Sequence, residues 1–157
     1  MCFAFRDDDG WKFEYPWNSL LPLEGTVSND LMRNPDMCDL EGGPCMLVVK
    51  SGNASGVTIG RANGVLSIVR DYSPLDMSIH QTSMEWGIMN YDGEEDVFSE
   101  PGDSGAIVAD IRGRIGGLLT GGAGNAKALD MAYATPWWWL FERIKASGFP
   151  DAHLNVL

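Results

Sequence analysis

The sequence predicts an all-β domain that ends in a single helix, and two patterns along its 157 residues support this fold class. From Met46 onward, short apolar segments alternate with turns rich in glycine, asparagine and aspartate. Because no helical stretch separates these segments, parallel crossovers are excluded and an antiparallel barrel or sandwich of six or seven strands is favoured. One helical pattern follows the last apolar segment.

Seven segments have the apolar or β-branched composition of strands, and two turns indicate how neighbouring strands pair. Asn63 and Gly64 form a dipeptide that is typical of two-residue hairpins. Residues 111–114, Ile-Arg-Gly-Arg, predict a second hairpin. The predicted strands are 46–50, 56–60, 65–72, 84–91, 106–110, 115–120 and 129–134.

Residues 136–147 are predicted to form the C-terminal helix. Thr135 is a favourable N-cap, Pro136 suits the first helical position, and Gly148 can end the helix. Three consecutive tryptophans, residues 137–139, span about 200° of a helix at 100° per residue. One of them must therefore face solvent unless the N-terminal segment or a second subunit covers it.

The first 45 residues form an acidic, aromatic arm, with nine acidic residues against three basic ones. Its aromatic residues alternate with polar ones, which indicates an extended, half-buried segment, and Pro16 excludes a central strand. We expect these aromatics to cover core surface; the alternative is that they bind a partner. They are Trp11, Phe13, Tyr15 and Trp17.

The composition limits the possible partners. Eleven basic residues against 22 acidic ones give a net charge of −11, which argues against nucleic acid, polyphosphate or an anionic membrane. Cationic peptides, neutral ligands or another protein remain, and no cofactor is expected. The chain has no apolar run of 18 residues and no signal-peptide pattern, and its three cysteines cannot all pair. These features predict a cytoplasmic protein.

The most informative motif is Glu-Pro-Gly-Asp-Ser-Gly-Ala at residues 100–106. It leads into an apolar strand and a hairpin, then into Ile-Gly-Gly-Leu-Leu-Thr-Gly-Gly at 115–122, Tyr-Ala-Thr-Pro at 133–136 and the terminal helix. This order resembles the C-terminal β-barrel of chymotrypsin- and trypsin-like serine peptidases. The resemblance implies an antiparallel Greek-key barrel over residues 46–148, followed by a tail at 149–157.

The resemblance also implies roles for particular residues. Ser104 would be the nucleophile, and the N–H groups of Gly102 and Ser104 would form the oxyanion hole. Asp103 would be a buried carboxylate that structures the loop; its partner in the family is a newly cleaved N-terminus, and its partner here is not identifiable. The edge strand that pairs with a bound peptide would be Leu119, Thr120 and Gly121.

Two departures from the family pattern stand out. The triad histidine and aspartate come from an N-terminal barrel that this chain lacks, and neither His80 nor His153 occupies the family's histidine position. Phe98 and Met131 stand where the specificity pocket has its floor and a wall. Both would shrink or fill that pocket, which removes any argument for cleavage after Lys or Arg.

Six acidic residues lie within twelve positions around the motif. They form either a solvated loop or a site for a cationic peptide or a metal, although their spacing does not match an EF-hand loop. They are Asp92, Glu94, Glu95, Asp96, Glu100 and Asp103.

Three functional hypotheses follow. The favoured one is a trypsin-like half-domain that lacks a triad, acts as a protein-binding or assembly module and forms a homodimer. The alternative is a serine endopeptidase subunit or fragment, with nucleophile Ser104, whose His and Asp come from another chain or a missing barrel. The third is an unrelated β-barrel in which Gly-Asp-Ser-Gly is coincidental.

Overall fold

A computed structural model describes residues 21–39, 41–91, 97–123 and 131–155 of the chain. In these residues the fold is mostly β, and it ends in a helix as the sequence predicts. The elements are β1 (Gly25–Thr26), α1 (Asn29–Arg33), β2 (Met46–Gly52), β3 (Gly56–Tyr72), β4 (His80–Asn90), β5 (Ile107–Asp110), β6 (Arg114–Ala123), β7 (Met131–Pro136) and α2 (Trp137–Ala146).

The strands form one mixed sheet that closes into a ring. Their order is β1-β6-β5-β2-β3-β4-β7, and a further pairing of β6 with β7 completes the ring. Every pairing is antiparallel except that of β1, which runs parallel to the start of β6 with Gly25 opposite Arg114. This parallel pair was not expected, because the sequence places β1 in the N-terminal arm.

The hairpin predicted at Asn63 and Gly64 is wrong, because both residues lie inside the continuous strand β3. The pairing of β3 with β4 shifts register between Ala62 and Leu66, so the dipeptide marks an irregularity within the strand. The Asn63 side chain accepts a hydrogen bond from the backbone of Val65 at 2.9 Å. A Cβ on Gly64 would lie 2.2 Å from the carbonyl oxygen of Arg33. Close approach of α1, rather than a turn, therefore requires this glycine.

The hairpin predicted at 111–114 is present between β5 and β6. Gly113 has a φ of +79°, the left-handed region that glycine enters at low cost, and its N–H donates to Asp110. The C-terminal helix is also present as α2, but Thr135 does not cap it. The Thr135 hydroxyl instead donates to Glu85 at 3.0 Å, and Pro136 occupies the N-cap position. Trp139 is the most exposed of the three tryptophans.

The described part of the predicted arm is integrated into the fold. Val27 and Met32 are buried in the hydrophobic core, and the Val27 N–H donates to Ile115 in β6 at 2.8 Å. Ser28 caps α1, a helix of five residues that is too short to produce a helical period in the sequence. The aromatic residues Trp11, Phe13, Tyr15 and Trp17 lie outside the described residues.

The core inside the ring centres on Trp86, which is fully buried and donates its indole N–H to the Asn63 carbonyl at 3.2 Å. Gly116 lies directly against the indole of Trp86, and a Cβ there would be 2.5 Å from that side chain. Phe98 and Val108 belong to the same core and lie on either side of the loop that carries Ser104. The core thus anchors both ends of that loop. No helix in the described ranges is long and apolar enough to span a membrane.

Candidate functional site

The loop before β5 is a tight turn that presents Ser104 to solvent. Gly102 and Gly105 have φ angles of +111° and +90°, which side-chain-bearing residues rarely adopt. The Gly105 N–H donates to Leu119 at 2.8 Å, and the Ala106 N–H donates to Asp103 at 3.0 Å. The first bond holds the loop against β6 and the second closes the turn, while Ser104 remains exposed.

Asp103 lies under this turn and is 1 % exposed. Its carboxylate is 3.0 Å from the Nζ of Lys50, and both side chains are completely inaccessible to solvent. Ser55 donates its hydroxyl to the same carboxylate at 2.6 Å. The N–H groups of Ala54, Ser55 and Glu100 donate to it at 2.7, 3.2 and 3.0 Å. The partner of Asp103 that the sequence did not identify is therefore Lys50, supported by the β2–β3 turn.

The surroundings of the Asp103 carboxylate favour its charged form. Burial raises the pKa of the Asp103 carboxyl, but hydrogen bonds from Ser55, Glu100, Lys50 and Ala54 outweigh it and hold that pKa far below its ordinary value. The Lys50 ammonium has three acceptors, one for each proton: Asp103, the Ser55 hydroxyl and the Gly56 carbonyl at 3.2 Å. The buried charges are thus paired and fully hydrogen-bonded.

Glycine at position 52 makes room for the carboxylate. A Cβ there would lie 2.3 Å from Oδ1 of Asp103, well inside van der Waals contact. Lys50 lies on β2 opposite Val108 of β5, so the sheet brings its side chain beneath the loop that precedes β5. The sequence held one signal for this partner: Lys50 directly follows the apolar run Met-Leu-Val-Val, which indicates a buried strand. A lysine is almost never fully buried unless it is paired, so a buried Lys50 would need an acidic partner.

The groups predicted for an oxyanion hole are the backbone N–H groups of Gly102 and Ser104. In the described part of the chain, neither the Gly102 N–H nor the Ser104 N–H donates to a protein acceptor. The Ser104 hydroxyl has one partner there, the carbonyl of Thr120 at 3.4 Å. Among the described residues, the hydroxyl is therefore engaged with a backbone carbonyl, and the two amides have no acceptor.

No histidine contacts Ser104. The chain has two histidines, and both are described. The ring of His80 packs against Tyr72 at 5.8 Å between centroids, at the far end of the β3–β4 pair. The Nδ1 of His153 lies 3.1 Å from the carbonyl of Asp151, beyond α2. The described residues therefore provide no imidazole that could take the proton of Ser104.

The end of β6 is the strand edge next to Ser104. Pairing of β6 with β5 ends at Leu118, and Leu119 contacts the loop. Among the described residues, 121–123 pair with β7 alone, and Thr120 lies at a register shift in that pairing. Leu119 is buried, whereas 120–123 are exposed. The Thr120 hydroxyl donates to Tyr133 at 3.1 Å, which secures this segment to β7. One backbone edge of 120–123 therefore faces outward beside the loop.

A groove of about 1140 Å³ adjoins this edge on the outside of the ring. Residues of the β3–β4 hairpin, residues 120–123, and Tyr133 and Thr135 of β7 line the groove. Trp138 and Trp139 of α2 also line it. The groove therefore combines aromatic surface with a strand segment, 121–123, that has one neighbouring strand, β7, among the described residues.

The two residues predicted for the pocket occupy different environments. Phe98 is 1 % exposed; its N–H donates to Asn90 at 2.8 Å and its carbonyl accepts from Thr58 at 2.6 Å. Its ring lies in the core, 5.8 Å from Lys50 Nζ. Met131 is half-buried at the start of β7, with its sulfur 3.0 Å from where a Cβ on Gly87 would stand. Phe98 thus fills space beneath the loop.

Of the acidic run, Asp92, Glu94, Glu95 and Asp96 lie outside the described residues. Glu100 is exposed, and Asp103 is engaged with Lys50. Within the described ranges no group of three or more His, Cys, Asp or Glu side chains could hold a metal ion.

No protein-family model matches the chain, and no curated protein matches it.

Proposed function

We propose that this chain is a half-domain of the trypsin-like serine peptidase type, with one Greek-key barrel and a retained nucleophile loop, that binds extended polypeptide without cleaving it. The observation that carries the proposal is the arrangement around Ser104. A buried Lys50–Asp103 ion pair supports an exposed serine beside the end of β6, which has no second partner strand among the described residues, and neither histidine lies there.

The chemistry at Ser104 favours binding over hydrolysis. A serine hydroxyl is a weak nucleophile unless a general base takes its proton, and the partner of this hydroxyl is a carbonyl. When a serine peptidase loses its triad, its oxyanion hole and substrate binding still accelerate hydrolysis by about 10³–10⁴-fold over the reaction in water. That residual rate is too slow for ordinary turnover.

The edge at residues 120–123 supports the binding role. An extended peptide can add to a free sheet edge through main-chain hydrogen bonds, and neighbouring grooves then select its side chains. The adjoining groove offers Tyr133, Trp138 and Trp139 to such a ligand. The net charge of −11 favours association with a cationic polypeptide.

A second candidate function is that of a serine endopeptidase subunit completed by another chain. The exposed Ser104 side chain favours it, as do the N–H groups of Gly102 and Ser104, which have no acceptor among the described residues; such an enzyme would use these groups. The imidazole and its carboxylate would then have to come from the partner chain.

The test combines activity and binding measurements on the purified chain. We expect no cleavage of casein or a peptide library, no labelling by a fluorophosphonate probe, and NMR shift changes at residues 120–123 on titration with extended basic peptides. Backbone N-methylated versions of the same peptides are the matched control and should not bind. The Ser104→Ala variant should bind as the parent chain does.

Robust cleavage that disappears in Ser104→Ala would contradict the proposal and favour the second candidate. If His80→Ala also abolished that cleavage, His80 would be the base. Failure of every extended peptide to shift residues 120–123 would contradict the binding role.

A further inference from the structure

We propose that Lys50 is the positioning residue that keeps the Ser104 loop in its exposed, ligand-ready arrangement in the uncut chain. The proposal rests on the proposed function, since the position of the loop matters because the loop borders the polypeptide-binding edge. Lys50 and Asp103 form the one ion pair of the described residues in which both side chains are wholly inaccessible to solvent.

The connection from Lys50 to Ser104 is short. Lys50 holds the carboxylate of Asp103, and Asp103 immediately precedes Ser104 in the chain. The Asp103 backbone contributes to the turn as well: its N–H donates to Glu100 at 3.1 Å and its carbonyl accepts from Ala106 at 3.0 Å. A movement of the Asp103 side chain out of its site must therefore shift the peptide units on both sides of Ser104.

Removal of the Lys50 charge should release this turn. A buried carboxylate without a counter-charge must either take up a proton or turn outward to water. Gly102 and Gly105 flank the turn and give the backbone the freedom to reorganise. The strands of the ring have their own pairings and core contacts, so the change should be confined to the loop.

Lys50 belongs to β2, so the chain supplies this charge without any cleavage. The loop would accordingly be ordered in the intact polypeptide. This predicts that no processing step switches the binding edge on.

The experiment measures amide hydrogen exchange in the intact chain, with its N-terminus verified by mass spectrometry. The reporters are the N–H groups of Gly105 and Ala106, and the references are core amides of β4 such as those of Trp86 and Ile88. We expect Lys50→Met to speed exchange at the reporters at least tenfold more than at the references. Lys145→Met, which removes a lysine charge on α2, should leave the reporters unchanged.

The double variant Lys50→Met/Asp103→Asn removes both charges while keeping the side-chain shapes. We expect it to recover most of the reporter protection that Lys50→Met loses, because no unpaired buried charge remains. If Lys50→Met does not fold, the double variant still tests the proposal. The proposal then requires that the double variant fold and protect the reporters, because the damage would come from the unpaired Asp103 charge.

Equal acceleration at reporters and references in Lys50→Met would overturn the proposal, because it would show only a loss of global stability. A double variant as unprotected at the reporters as Lys50→Met would also overturn it, as would reporters that are unprotected in the intact parent chain. None of these measurements uses a ligand. A failure of peptide binding with the exchange results as expected would therefore contradict the proposed function alone.

Discussion

Replacing Gly52 by alanine should destabilise the protein, although the residue lies at the end of a strand where alanine is ordinarily acceptable. The added Cβ would stand 2.3 Å from Oδ1 and 2.4 Å from Cγ of Asp103, about 1 Å closer than ordinary contact. The carboxylate cannot retreat freely, because Lys50, Ser55 and the neighbouring backbone hold it.

The magnitude follows from two contributions. Forcing an extra carbon into a well-packed site costs about 1–3 kcal/mol. A carboxylate shift of about 1 Å would also weaken its hydrogen bonds from Ala54 and Ser55, and a bond to a charged group contributes about 1.5–3 kcal/mol. We expect a loss of about 3 kcal/mol in the free energy of unfolding. At roughly 2–4 °C per kcal/mol, this lowers Tm by about 6–12 °C.

The assay is urea unfolding followed by intrinsic tryptophan fluorescence, to which the buried Trp86 contributes, with Gly121→Ala as the matched control. Gly121 also lies in a strand, but a Cβ there meets nothing within 4 Å, so the control should stay within about 0.5 kcal/mol of the parent. A double-mutant cycle with Asp103→Ala isolates the clash: once the carboxylate is gone, Gly52→Ala should cost little more. Gly52→Ala at parental stability, or costs that simply add in the cycle, would refute this reasoning.

Two further outcomes are expected. Asp110→Ala should lower the free energy of unfolding by about 2–3 kcal/mol. The fully buried Asp110 carboxylate accepts hydrogen bonds from the backbone N–H groups of Arg112 and Arg114 and from Nε of Arg114. Asp36→Ala should lower the free energy of unfolding by less than about 1 kcal/mol. The hydrogen bond from Arg114 holds the pKa of Asp36 below its ordinary value, so the stability that Asp36 contributes is present above about pH 4 and is lost as pH falls. Equal losses of unfolding free energy for the two variants in urea at pH 7 would contradict this ranking. The chain should also form a homodimer through the β3–β4 hairpin, whose apolar side chains are unusually exposed, and light scattering coupled to gel filtration should show a dimer that Ile68→Lys dissociates. A monomer at high micromolar concentration would reject the dimer. The exposed apolar side chains of the hairpin are Val57, Val65, Ile68, Tyr72, Leu75, Met77, Ile79, Met84 and Met89.

The same measurement can test whether the N-terminal segment covers apolar surface. Deletion of the whole predicted arm would remove Val27 and Met32 from the core. The informative truncation therefore lacks only residues 1–20. A truncated chain with unchanged stability and oligomeric state would argue against a covering role.

Sequence reasoning was most successful where the determinants are local. The turn at 111–114 and helix α2 depend on residues within a few positions of one another, and both are present. It failed at Asn63 and Gly64, where a typical hairpin dipeptide lies in a continuous strand. There a tertiary contact, α1 against Gly64, overrides the local turn preference.

The Gly-Asp-Ser-Gly motif by itself determined that a tight loop precedes a strand, because glycines on either side of Asp103 and Ser104 permit backbone angles that other residues avoid. What neutralises Asp103 was decided only by the tertiary structure. Lys50 is 53 positions away in sequence, and it reaches the carboxylate because β2 pairs with β5 in a register that sets Lys50 opposite Val108. Burial then makes the pair mutually dependent: in a dry interior neither charge is tolerable alone, and that requirement exists only once the ring has closed around both.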